Sequence, residues 1–332
     1  MWIECLLFAV GLVLLIKGGD FFVDGAVGIA KRFRLPEVLI GATVVSIGTT
    51  LPEVMVSTQA AALNNGSIAY GNAIGSIICN TTLIAALTIA VTAPTVDKNA
   101  FRIPTVFFFI AMAIYCFNAY VFKDFSRISG IILLALFLVY IIISAKTAIR
   151  DNKLAAQNTN ENTETAEETD ENGKKSSLAK DIILLVAGAL FIAVGARLLI
   201  DNGTVIAKWL GVPDSVIALT FVALGTSLPE LVTAITALVK KHGALSIGNI
   251  VGANLFNLVL VSGLAVTVSP FKLPADKMLF GLNSSLVVDL PLAGIVMLGF
   301  TLPACFKGKI PRWIGIAFLV IYLAFCVYQF AF

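Results

Sequence analysis

Long apolar runs alternate with short polar loops along the chain. Runs near 2–28, 38–62, 68–92, 103–121 and 128–147 are each long enough for a helix to cross hydrocarbon about 30 Å thick. A polar stretch then occupies 150–178, with Asn160, Glu161, Glu164, Glu167, Glu168, Asp170 and Glu171 and almost no large apolar residue. Such a segment cannot bury enough surface to fold and reads as a flexible acidic linker. Five further runs lie near 180–206, 215–239, 244–268, 288–305 and 312–331. The alternating ten-residue segments of a membrane barrel are absent. The pattern therefore predicts an all-α polytopic membrane protein with ten transmembrane helices. Five belong to residues 1–149 and five to residues 179–332, joined by the linker at 150–178.

Composition agrees, with 58% hydrophobic and 13% charged residues and a mean hydropathy of +0.95. The net charge of +3 gives no reason to expect a nucleic-acid partner; the placement of charge says more. With the linker in the cytoplasm, Lys and Arg crowd the loops on its side. The opposite loops hold only Lys123, Arg127, Lys208, Lys272 and Lys277. The positive-inside rule favours this orientation, which puts both termini outside a plasma or inner membrane. The first run lacks a basic start and a small-residue cleavage site, so it is expected to stay as a helix. Cys5, Cys79, Cys116, Cys305 and Cys326 form no CxxC pair and read as free membrane cysteines. The glycosylation sequons at Asn80 and Asn202 lie in apolar runs, where a match is usually chance.

The two halves are related. Residues 41–80 align without a gap to residues 218–257, at an offset of 177. Thr43, Gly48, Thr49, Leu51, Pro52 and Glu53 meet Thr220, Gly225, Thr226, Leu228, Pro229 and Glu230. Gly66, Gly71, Asn72, Gly75 and Asn80 meet Gly243, Gly248, Asn249, Gly252 and Asn257. Asp24 meets Asp201 and Pro36 meets Pro213 in the same register. The matches are mostly glycine and polar residues, so apolar bias does not produce them. Five spans separate the copies, an odd number, so the copies cross the membrane in opposite senses. An inverted repeat with Gly/Pro-interrupted helices marks a secondary transporter whose site lies at the midplane.

The chemistry of the repeated motif, Gly-Thr-(Thr/Ser)-Leu-Pro-Glu, suits a cation. Glu53 and Glu230 fall well inside their spans, where a carboxylate is costly unless paired, protonated or ion-bound. No Lys or Arg accompanies either motif in the sequence. Two converging carboxylates repel, and a divalent cation with hard oxygen ligands resolves the repulsion. Pro52 and Pro229 are expected to open their helices and release backbone carbonyls beside the hydroxyls of Thr49, Thr50, Thr226 and Ser227. Asn80 and Asn257, on the following helices, add central polar ligands. Elsewhere, Asp289 precedes Leu290-Pro291 and reads as an N-cap. Lys17 and Asp20 are spaced to pair on one helix face, Asp24 and Asp201 to sit near the membrane edges, and His242 to be solvated in a basic loop. A channel would present a ring of ligands around one pore, and a membrane protease would need an HExxH or a Cys–His pair; neither is present, so no enzyme activity is expected.

The paired motifs closely resemble the α-repeats of the cation/Ca2+ exchanger superfamily, in particular bacterial members of the sodium/calcium exchanger family. The resemblance covers nearly the whole chain and implies alternating access, with Na+ entry driving Ca2+ export. It implies a Ca2+ site made by Glu53, Glu230, Thr49 and Thr226. It implies Na+ sites using Ser46, Thr50 and Ser76 in one half and Ala223, by its carbonyl, and Ser227 in the other. No cofactor is implied; the partners are the transported ions and the lipid bilayer, and the chain is read as a working monomer. Two departures stand out. Ala253 replaces a serine common in relatives, and Asn257 replaces the aspartate of some relatives, including K+-dependent ones. Proton/Ca2+ exchange, with a motif glutamate carrying the proton, is the alternative coupling.

Overall fold

The computed structural model describes residues 2–158, 177–211, 225–275 and 277–331. Among the described residues ten helices follow one another: α1 Trp2–Arg32, α2 Glu37–Ala62, α3 Gly66–Thr92, α4 Lys98–Phe122, α5 Arg127–Asn158, α6 Leu178–Trp209, α7 Leu228–Val239, α8 Gly243–Val268, α9 Ser285–Lys307 and α10 Arg312–Ala331. Among the described residues, all but α7 are long and apolar enough to cross a membrane. Residues 212–224, which hold the first part of the run expected at 215–239, lie outside the described set, as does the stretch 159–176 of the linker. Helix α5 runs on to Asn158, past the end of its apolar run. The only strands among the described residues are short pairs in loops, such as Asp124–Phe125 against Phe271–Lys272.

Helices α3 and α8 are the most enclosed, and they form the centre of the molecule. Around them lies the main apolar core, including Ile77, Phe101, Phe108, Phe256 and Phe300. Helices α1 and α6 pack along each other at one flank. They approach closely because glycines recur on the facing sides. A Cβ at Gly18 would lie 2.8 Å from the Ile192 amide nitrogen, and one at Gly195 would lie 2.8 Å from that of Leu15. Small residues at this spacing let membrane helices touch backbone to backbone.

One pair of interruptions within the helices follows the repeat. A π-turn spans Asn80–Ala85 in α3, and its repeat mate spans Asn257–Ser262 in α8. Another spans Gly41–Val45 in α2. Each such turn widens the helix and loosens its carbonyls, and hydroxyls take some of them up. Ser46 Oγ donates to the Gly41 carbonyl at 2.7 Å, Tyr140 Oη to that of Ala42 at 2.6 Å and Ser262 Oγ to that of Asn257 at 2.9 Å.

Contacts between loops sort them into two ends. At one end Arg32 meets Asp181 at 3.3 Å, Glu37 meets His242 at 2.7 Å and Thr95 bridges Lys309. At the other, Asn64 accepts from Ser269, and Lys277 reaches Gln329 at 2.6 Å. The start of α2 and the end of α7 therefore share one end, so these two helices run antiparallel. His242 departs from the expectation of a solvated histidine: its Nδ1 bonds Glu37 across the repeat. Tertiary folding, not loop composition, decides its partner.

Candidate cation site

Helices α2 and α7 touch and bring their motifs to one level. Glu53 and Glu230 each stand nine residues before the last residue of their helix, Ala62 and Val239. At a rise of about 1.5 Å per residue this is about 14 Å, close to half the hydrocarbon thickness, measured from opposite faces. Both residues are 0% exposed, and the two carboxylates lie within electrostatic reach of each other.

The motif is not opened identically in the two halves. Helix α2 continues through Pro52, and its irregularity lies earlier, at Gly41–Val45. The expected break at Pro52 is therefore absent: a proline deletes one backbone bond, and here packing holds the helix across that gap. In the second half Gly225–Ser227 form a turn and α7 begins at Leu228, with Pro229 in its first turn. Proline is readily accommodated there, since that N–H would have no helical partner. Glu230 consequently sits in the first turn of α7, where the helix dipole favours negative charge.

Each motif helix also packs on the π-turn of the other half, α7 on Asn80–Ala85 and α2 on Asn257–Ser262. Thr49, Thr50, Ser46, Ser76, Ser227, Asn80 and Asn257 are all buried, and Thr226 is half-buried. Ala223 lies outside the described residues. Among the buried polar atoms left without a hydrogen-bond partner, those of three residue pairs are related by the repeat. Both carboxylate oxygens of Glu53 and of Glu230, the hydroxyls of Thr50 and Ser227, and both amide atoms of Asn80 and of Asn257 are buried and unpartnered. Buried polar atoms are rarely left unsatisfied, so such a cluster calls for an occupant. A set of two carboxylates with neutral oxygens fits a hard cation. No group of three or more His, Cys, Asp or Glu fit to hold a metal occurs among the described residues.

Two amides that the sequence reading left without a role adjoin this cluster. Asn249 Oδ1 accepts from Thr49 Oγ1 and from Ser46 Oγ, both at 3.2 Å. Asn72 Oδ1 accepts from Thr226 Oγ1 at 3.1 Å, while its Nδ2 donates to Ser57 Oγ at 2.9 Å and to the Glu53 carbonyl at 3.3 Å. Their match across the repeat was the available signal, but its meaning depends on which helices meet.

The remaining candidates lie elsewhere. Asp289 is the last residue of a π-turn in α9, makes no capping bond and keeps Oδ1 unpartnered. The N-cap reading fails because the helix extends upstream to Ser285. Lys17 reaches Asp20 at 3.9 Å as expected, and Lys240 pairs with both Asp20 and Asp24, at 3.5 and 2.7 Å. Asp201 pairs with Arg197 at 3.6 Å.

The chain is similar to known proteins along most of its length. The family model "sodium/calcium exchanger protein" matches residues 3–146 and 180–331. An uncharacterized membrane protein, MJ0091, of Methanocaldococcus jannaschii is 35% identical over 95% of this chain and 94% of its own. The sodium/calcium exchanger MaX1 of Methanosarcina acetivorans is 28% identical over 99% of both chains. A solved structure of the sodium-calcium exchanger NCX_Mj, soaked with Na+ and Sr2+, superposes with a TM-score of 0.77 at 31% identity, covering 97% of each chain. With two inverted motifs, a paired set of orphaned oxygens and these matches along its length, the chain belongs to the sodium/calcium exchanger family of multi-pass membrane proteins.

Proposed function

We propose that the protein is a Na+/Ca2+ antiporter that works by alternating access and exports Ca2+ across a plasma or inner membrane, with the linker cytoplasmic and both termini outside. The observation that carries this reading is the set of unpartnered buried groups paired by the repeat: Glu53 with Glu230, Thr50 with Ser227 and Asn80 with Asn257. In the Ca2+-loaded state the two carboxylates balance a divalent charge, and the Thr49 and Thr226 carbonyls complete its shell. In the return step Na+ takes the places near Ser46, Thr50 and Ser76, and near Ala223 and Ser227. Asn80 and Asn257 serve as neutral central ligands. Ala253 supplies no hydroxyl, so the second half offers Na+ one ligand fewer. Membership of a family that includes a relative named as a sodium/calcium exchanger supports the choice of Na+. Radioactive Ca2+ flux into proteoliposomes under an outward Na+ gradient, at fixed pH, tests it. Flux is expected to follow the Na+ gradient; flux that ignores Na+ and follows an imposed pH gradient would replace Na+ by H+.

A further inference from the structure

Asn72 of α3 and Asn249 of α8 occupy equivalent places in the repeat, and each bonds the motif threonine of the opposite half. Asn72 reaches Thr226 and Asn249 reaches Thr49. These are the same contact made twice, with the halves exchanged. Ser46 Oγ also lies 2.9 Å from the Asn249 backbone carbonyl, its single proton shared with the Gly41 carbonyl at 2.7 Å. Bonds within one helix survive a movement of one half against the other, whereas bonds between halves must stretch or break. A threonine held by its hydroxyl also has its backbone orientation restricted, which a carbonyl ligand requires.

The two amides are not equally satisfied. Asn72 Nδ2 donates to Ser57 Oγ, but Asn249 Nδ2 is buried with no acceptor. The repeat explains the difference, because Ala234 stands where the first half has Ser57. Ala234 is 2% exposed, so solvent does not supply the missing acceptor. An amide donor in this position costs stability unless it is relieved.

We propose that Asn72 and Asn249 are positioning residues, each clamping the threonine of the opposite repeat so that its carbonyl stays aimed at the cation, and that the Asn249 clamp is the looser because Ala234 offers its amide nothing. The inference rests on the exchanger reading of the site. Double-mutant cycles test it, with half-saturating Ca2+ for flux as one readout and the thermal midpoint of the ion-free protein as the other. Thr49→Val and Asn249→Ala should each raise half-saturation roughly fivefold, the size of one hydrogen bond, and together no further. Thr226→Val with Asn72→Ala should behave alike, whereas the mismatched pair Thr49→Val with Asn72→Ala should multiply to about twenty-fivefold. Two milder variants cover a failure to fold: Ser57→Ala should raise half-saturation, and Ala234→Ser should lower it. Matched pairs that multiply like the mismatched one, or pairs coupled in the thermal midpoint with half-saturation unmoved, would overturn the clamps while leaving the exchanger reading intact. Wild-type vesicles without Ca2+ flux would reject the exchanger reading itself, and the clamps with it.

Discussion

Glu53 and Glu230 are buried, unpartnered and close enough to repel. Among the described residues neither carboxylate has a hydrogen-bond partner, charged or neutral. Removing one member of a compensated buried charge set costs several kcal/mol, because the partner is left behind. Glu53→Gln and Glu230→Gln keep the shape and remove the charge. Each should lower Ca2+ flux about a hundredfold or more, while size-exclusion and circular-dichroism profiles stay as in the wild type. Flux within a few-fold of the wild type in either variant would exclude a direct role in binding. These glutamates were legible in the sequence because a carboxylate inside an apolar run needs a reason, and the repeat supplied it twice. Asn72 and Asn249 were visible only as a match, since nothing in the chain says which half their amides face. His242 and Asp289 were misread for a related reason: one gains Glu37 from 205 positions away, and the other's helix begins earlier than its proline suggests.

At the level of elements, only the last part of the run at 215–239 is described, and the other nine helices among the described residues follow the apolar runs closely, since the hydrocarbon fixes their length. Their interruptions do not. The π-turn at Gly41–Val45 is partnered from another helix, where the Tyr140 hydroxyl takes the Ala42 carbonyl, and α2 runs unbroken through Pro52. Helix pairing also needs the structure, and two of its contacts differ sharply in weight. At the α1–α6 crossing, a Cβ on Gly188 would come within 2.7 Å of Phe22 Cα and 2.8 Å of the Gly18 carbonyl. Gly188→Val should cost about 1–3 kcal/mol by overpacking. The Lys240 pair with Asp20 and Asp24 is partly exposed, and Lys240→Met should cost less than about 1 kcal/mol. Thermal unfolding in detergent should therefore show the larger drop for Gly188→Val; the reverse order would mean that the ion pair, not the glycine seam, holds α1 in place.

For the whole molecule, the loop contacts establish that α2 and α7 are antiparallel, and the proposed orientation, with the basic-rich end in the cytoplasm, rests on the positive-inside rule. A single cysteine at Glu164, in a chain whose five native cysteines are replaced, tests that choice. It should react with a membrane-impermeant maleimide only after the cells are permeabilised, and labelling of intact cells would invert the orientation. The sequence foresaw the antiparallel halves from an odd number of spans. It did not foresee that the halves differ in build, with α2 continuous through its motif and α7 starting at its own. That difference bears on the resting poise of the molecule. Two identical halves could swap shapes at no net cost, so the empty carrier would spend equal time open to either side. Here the swap would require α2 to unwind around Pro52 and Gly225–Ser227 to wind into helix, two changes of unlike size. On the exchanger reading proposed above, the two facings would have unequal energies and the unloaded carrier would wait on a preferred side of the membrane, like a turnstile with a spring.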